Sequence, residues 1–173
     1  KDKAGKVWIA TYAALFNYDG KMVNIFDNEK LNLKDNELLH IRSVLADSKG
    51  RIWIGNNGIG VLLMEGNSII NFSQKNNLIH PTSTRRGDNK SLPGTLEHPF
   101  AIEEDSDGNI WFGDVYTGAW KYDGKTLTNY LISDKLSKPM IWTIYKDSKN
   151  NLLFGMADGN IFKFNGKAFE KQF

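Results

Sequence analysis

One phrase recurs four times along this chain, and it limits the fold more than any other feature: DKAGKVWIAT from Asp2, DSKGRIWIGN from Asp47, DSDGNIWFGD from Asp105 and DSKNNLLFGM from Asp147. The turn residues Gly5, Gly50, Gly108 and Asn150 lie 45, 58 and 42 residues apart. A period of roughly 40 to 50 residues, with strand-like text in every copy, is the spacing of four-stranded propeller blades. Each unit is a supersecondary element that cannot cover both of its faces alone, so the copies must stack.

A second phrase follows each first one: LFNYDGKMVNIF from Leu15, VLLMEGNSIINF from Val61, AWKYDGKTLTNY from Ala119 and IFKFNGKAFEKQ from Ile161. Asp19-Gly20, Glu65-Gly66, Asp123-Gly124 and Asn165-Gly166 are hairpin signals between aromatic and β-branched runs, where glycine supplies a positive φ without a Cβ clash. A third apolar segment precedes three of the motif aspartates: HIRSVLA from His40, HPFAIEE from His98 and MIWTIYK from Met140. These segments read as innermost strands, giving each unit an antiparallel meander of strands A, B, C and D.

The expected fold is therefore all-β, a β-propeller of four-stranded antiparallel blades with about four blades present, the first lacking its inner strand. The blades fall at about 1–36, 37–79, 96–136 and 137–173, with an insertion loop over 76–97. Trp8, Trp53 and Trp111 share one slot, with Leu153 in the fourth, and are expected to fill the space between blades. Small residues at Ser43, Ala101 and Thr143 suit crowded inner strands. The missing inner strand leaves two assemblies open, a segment of a longer propeller or a ring closed by two copies.

Composition removes several classes. Twenty-two basic against 20 acidic residues give a net charge of +2, too small a surplus for nucleic acid to be expected as a partner. With no cysteine there is no disulfide framework, thiolate metal site or cysteine nucleophile, and no cofactor is implied. No apolar run is long enough for a spanning helix, and Lys1-Asp2-Lys3-Ala4-Gly5 is not a signal peptide, as in a mature or trimmed chain.

The phrase D-S-x-G-x-I-W-I-G, followed by Y-D-G-K, resembles the two-component regulator propeller repeat over nearly the whole chain. Asn150 and Leu153 depart from it in the last unit and Ala10 in the first. That resemblance implies an extracytoplasmic sensor segment, periplasmic or otherwise outside the cytoplasm. It also implies a role in signal transduction with a signalling partner, and an oligosaccharide as ligand. The repeat specifies blade packing, so it carries fold further than ligand.

Candidate site residues come from positions that vary where the core does not. Arg42, Phe100 and Trp142 hold one slot in three units; an aromatic there can stack on a sugar face and an arginine can bond hydroxyl or carboxylate oxygens. His40 and His98 each stand seven residues before a motif aspartate, with Met140 in the third slot, and serve either as structural groups or as acid and base. The B–C loops add Tyr12, Asn57, Asp114, Tyr116 and Asp158. Asp105-Ser106-Asp107-Gly108 has the look of a calcium loop, but Lys49 and Lys149 occupy the second ligand position elsewhere, so a turn is expected and no metal. The insertion, including Thr82 to Asp88 and Ser91 to Gly94, reads as a loop between blades, with Arg85 and Arg86 as solvated charges and His80 without a repeat counterpart.

The function expected is non-enzymatic ligand sensing or recognition. The alternatives are a propeller lyase or hydrolase that uses His40 and His98, and an assembly scaffold without a small ligand.

Overall fold

A computed structural model describes residues 1–86, 90–132 and 140–172. Gly87 and Asp88 of the insertion, the blade boundary near 136 and 137, and Phe173 lie outside the described residues.

The chain forms four antiparallel sheets. The first holds β1 (Val7–Ala10), β2 (Leu15–Tyr18) and β3 (Val23–Phe26); the second holds β4 (Ile41–Ala46), β5 (Ile52–Asn56), β6 (Gly60–Glu65) and β7 (Ser68–Asn71). The third holds β8 (Pro99–Glu104), β9 (Ile110–Asp114), β10 (Gly118–Tyr122) and β11 (Leu127–Tyr130); the fourth holds β12 (Ile141–Lys146), β13 (Leu152–Met156), β14 (Ile161–Phe164) and β15 (Phe169–Lys171). Each is a meander in sequence order, and the inner strands β4, β8 and β12 lie side by side, with β1 against β4. These are propeller blades, the first with three strands as the sequence predicts.

Two local features differ from the sequence reading. In the hairpins, Asp19 pairs with Met22, Asp123 with Thr126 and Asn165 with Ala168, so glycine is the first central residue and not the second. Gly20, Gly124 and Gly166 take φ near 97, 98 and 96°, and each preceding Asp or Asn carboxyl or amide oxygen accepts the two amide N–H groups across the turn. A short helix, α1 (Phe72–Lys75), also ends the second blade, its N-terminus capped by Asn71 Oδ1 accepting from the Gln74 N–H at 2.8 Å.

The motif aspartate has a second partner besides its turn. Asp2, Asp47 and Asp105 each accept the indole N–H of the tryptophan six residues on, at 2.8 Å in all three blades. Asp147, with Leu153 in that slot, bonds Asn151 instead. Asn150 replaces the turn glycine and holds φ 64°, a conformation asparagine tolerates better than most residues.

Packing between blades follows one rule. Trp53, Val61 and Leu63 leave one face of the second blade to meet Ile102, Ile110, Phe112 and Trp120 of the third. Trp111 of the third blade meets Ile144, Leu152, Phe154 and Phe162 of the fourth, and Trp8 of the first meets Ile52, Ile54, Leu62 and Met64 of the second. Every interface thus mates a tryptophan-slot face with the Ile/Phe face of the next blade. The glycine near the end of the second and third phrases lets inner strands close up: a Cβ on Gly113 would lie 2.5 Å from Ile141 Cγ2 of the next blade, and one on Gly55 would lie 2.7 Å from the Pro99 carbonyl oxygen.

Candidate functional site

The site lies where the inner strands begin, and the backbone builds it in the same way three times. In β4 the pairing steps from Ile41 opposite Asn56 to Ser43 opposite Gly55; in β8 it steps from Pro99 opposite Asp114 to Ala101 opposite Gly113. In β12 it steps from Ile141 opposite Met156 to Thr143 opposite Gly155. Each step leaves one unpaired residue, and the three are Arg42, Phe100 and Trp142. A β-bulge re-aims the side chain of its extra residue out of the strand alternation. That is why this slot varies while its neighbours stay small or apolar.

The three side chains meet. The Arg42 guanidinium carbon lies 4.7 Å from the centroid of the Phe100 ring, and the rings of Phe100 and Trp142 are 6.2 Å apart at 65°. Trp142 remains 58% exposed, although it is among the largest apolar side chains in the protein. Arg42 is exposed and has no carboxylate within ion-pair distance among the described residues.

Beside this row the B–C loops are tied to the strand mouths by one repeated bond. The N–H groups of Asn57, Val115 and Ala157 donate to the carbonyls of His40, His98 and Met140 in their respective blades, at 2.9, 3.2 and 2.9 Å. The bonds bring the two imidazoles to one amide. His98 Nδ1–H donates to Asn57 Oδ1 at 2.6 Å, and Asn57 Nδ2–H donates to His40 Nδ1 at 3.0 Å, with the amide oriented by the network. Asn57 therefore sets opposite tautomers: His98 carries its proton on Nδ1, and neutral His40 carries it on Nε2. His40 Nε2 is buried without a hydrogen-bond partner among the described residues, and the Tyr12 ring, 66% exposed, lies over the imidazole at 4.2 Å. Tyr116 meets His98 edge-on at 5.2 Å.

Two candidates are spent on structure. Asp114 is fully buried; its Oδ2 accepts the His98 N–H at 2.8 Å and its Oδ1 accepts those of Tyr116 at 2.8 Å and Thr117 at 3.0 Å. Asp158 is exposed and accepts from the backbone and side chain of Asn160 in a local turn. Asp105 likewise spends its oxygens on N–H donors from Asp107, Asn109 and Trp111. Among the described residues no cluster of three or more acidic or histidine side chains is placed to hold a metal ion.

The sequence missed three contributors. Asn56, the counterpart of Asp114, accepts the His40 N–H at 2.6 Å and donates to the Leu38 carbonyl at 3.1 Å. Glu97 is 1% exposed, with Oε2 4.0 Å from His98 Nε2. Arg85 is no solvated charge: it pairs with the buried carboxylate of Glu37 at 2.8 Å and so pins the insertion to the loop before β4. The insertion also walls a cleft of about 420 Å³ with His80, Thr82, Ser83, Thr84, Lys90, Leu92 and Glu97.

Burial, then the nearby charges of Arg42 and His98, hold the pKa of His40 below 6.5. The folded chain therefore binds fewer protons at His40 than the unfolded chain does, so its contribution to stability is complete above pH 6.5 and is lost as pH falls from there through the folded value. Burial pushes Asp47 and Asp105 up, but their donors, the Trp53 indole and Arg51 for one and Asn109 and the Trp111 indole for the other, outweigh it and bring both below 3.8. Their contribution is present above pH 3.8 and is lost as pH falls through the folded values. The urea midpoint is expected to drop in two stages on acidification, and His40→Gln should flatten the first stage only. An unchanged first stage in that variant would remove His40 from the account.

The two component regulator propeller family matches at residues 38–58 and 95–116, segments that contain His40, Arg42, Asn57, His98, Phe100, Asp114 and Tyr116. No curated protein matches the sequence. Among solved structures, a streptogramin B lyase superposes with TM-score 0.71 at 18% identity, over 99% of this chain and 52% of that one. A catalytically inactive histidine-to-alanine variant of virginiamycin B lyase from Staphylococcus aureus, with quinupristin, gives 0.69 at 18% identity over the same shares. The extracellular domain of a hybrid two component system from B. thetaiotaomicron gives 0.68 at 24% identity, over 99% of this chain and 22% of that one. This chain thus spans about half the length of the lyases and less than a quarter of the sensor domain. At these identities the likeness is one of fold. The segments that match the two component regulator propeller model, 38–58 and 95–116, fold as strands A and B and the start of the B–C loop of two successive blades.

Proposed function

We propose that this chain is the ligand-recognition segment of a sensor propeller, and that it binds carbohydrate on the face formed by Arg42, Phe100 and Trp142. The observation that carries this reading is the bulge row: three successive blades each break their pairing at the same place and present an arginine and two aromatics as one surface. A half-exposed indole beside a phenyl ring offers the flat apolar faces on which sugar C–H groups stack, and the guanidinium supplies donors at its edge. Signalling and an extracytoplasmic location are supported by the two component repeat and by the extracellular domain that shares the fold.

The lyase or hydrolase reading has less support. His98 is 1% exposed and its Nδ1 is committed to Asn57, so the two imidazoles do not face one open space as acid and base. Titration with an oligosaccharide panel, followed by tryptophan fluorescence, tests the recognition reading. Emission should change saturably in the wild type and not in Trp142→Phe. An equal change in that variant, or none with any saccharide, would contradict it.

A second reading, assembly, is favoured by one further observation. Val7, Ile9, Phe16, Tyr18, Val23 and Ile25 occupy one face of the first blade, and five of the six are 40% exposed or more. This is the Ile/Phe face that every internal interface covers with a tryptophan-slot face, so its fitting occupant is another blade of the same repeat. Light scattering should show concentration-dependent association that Val23→Lys and Ile25→Lys suppress. A discrete dimer would make a second copy the occupant, and a monomer at all concentrations would sink the reading.

A further inference from the structure

The arginine of the row is placed differently from the two that form ion pairs, Arg51 and Arg85. Arg51 pairs with Asp47 at 2.6 Å and Arg85 with Glu37 at 2.8 Å, so both neutralise a carboxylate of the protein itself. Arg42 lies against the Phe100 ring and has no such carboxylate among the described residues. That contact spends no carboxylate, and the guanidinium N–H groups form a fork that matches carboxylate and sulfate oxygens.

The acidic side chains around the mouth do not supply the missing charge. Asp114 is fully buried and spends both oxygens on three backbone N–H groups. Glu97 is 1% exposed and accepts the His80 N–H, Glu37 is held by Arg85, and Asp158 is bonded to Asn160. The row is therefore a cation beside two aromatic faces, with no counter-charge paired to it among the described residues.

We infer that the ligand supplies that charge: the row binds an acidic saccharide, a sugar ring seated on Trp142 and Phe100 with its carboxylate or sulfate on Arg42. This rests on the carbohydrate reading above and narrows it. An anion on a polar, exposed guanidinium adds affinity that falls with salt, whereas stacking on the aromatics does not.

Calorimetry with the whole chain separates the two levels. The probes are trigalacturonate and a heparin-derived tetrasaccharide as acidic ligands, with galactotriose and cellotetraose as neutral ones, against wild type, Arg42→Gln and Trp142→Ala. The acidic ligands are expected to bind at least tenfold tighter than the neutral ones. Arg42→Gln should abolish that difference by weakening the acidic ligands at least tenfold more than the neutral ones, and Trp142→Ala should weaken both classes. Both substitutions are at exposed positions, and melting curves matched to wild type show that the fold is kept. Trigalacturonate without the heparin fragment identifies a carboxylate, and the converse a sulfate; either supports the inference. Neutral ligands that bind as tightly as acidic ones, or an Arg42→Gln that lowers both equally, would overturn the anion inference and leave carbohydrate recognition standing. Binding of none of the four would overturn the carbohydrate reading itself.

Discussion

Trp53→Ala is expected to destabilise the chain by about 3–5 kcal/mol, close to the whole stability of a marginal domain. The side chain is fully buried and meets Phe72, Phe112 and Tyr122 edge-on at 5.1, 5.6 and 6.0 Å. Its loss opens a cavity between the second and third blades, where neither side is free to collapse. It also removes the indole donor that Asp47 accepts at 2.8 Å. Trp53→Phe separates the two effects, since the ring stays and the donor goes; a hydrogen bond to a charged group contributes about 1.5–3 kcal/mol. Urea denaturation of the two variants checks this, and an alanine variant within about 1 kcal/mol of wild type would contradict the packing rule on which the fold rests.

Asp114→Ala should rival it from a different cause. Three backbone N–H groups, from His98, Tyr116 and Thr117, converge on one buried carboxylate, and each buried donor left without an acceptor costs about 1–3 kcal/mol. Asp114→Asn is no remedy, because an amide turns an N–H toward one of those donors. The second blade shows the contrast: Asn56 works there because its Nδ2 faces the Leu38 carbonyl while its Oδ1 accepts from His40. Asn56→Asp should therefore also destabilise, by placing a carboxylate against that carbonyl. Denaturation midpoints, with the imidazole resonances of His98 as a local probe, test both substitutions. An Asp114→Asn variant as stable as wild type would show that the loop does not depend on a bare acceptor.

The repeat made the blades legible because its marks are local. Asp, Gly and Trp stand at fixed short spacings, and the turn and the strand that follows are set by those residues alone. The indole bond was also within reach of the sequence, since aspartate and tryptophan are always six apart and the unit with Leu153 breaks the pattern. The helix at Phe72–Lys75 was not, because four residues carry no helical period.

At the site, the variable slot was visible but its cause was not. A bulge is a property of pairing between strands, and nothing in Arg42, Phe100 or Trp142 announces it. The amide between the imidazoles was still less visible: Asn57 lies 17 residues from His40, to which its own blade joins it, and 41 from His98, which only the stacking of the next blade brings near. The pairing of Arg85 with Glu37, 48 residues apart, is likewise long-range, made where the insertion folds back on the loop before β4.

The central claim is that the bulge row is a recognition surface and not packing between blades. Retention on a glycan array, compared between wild type and the triple variant Arg42→Ala, Phe100→Ala, Trp142→Ala, tests it most directly when both proteins melt at the same temperature. The account predicts that the wild type retains a defined set of glycans and that the triple variant loses all of them. Glycans retained equally by both proteins, or by neither, would contradict it.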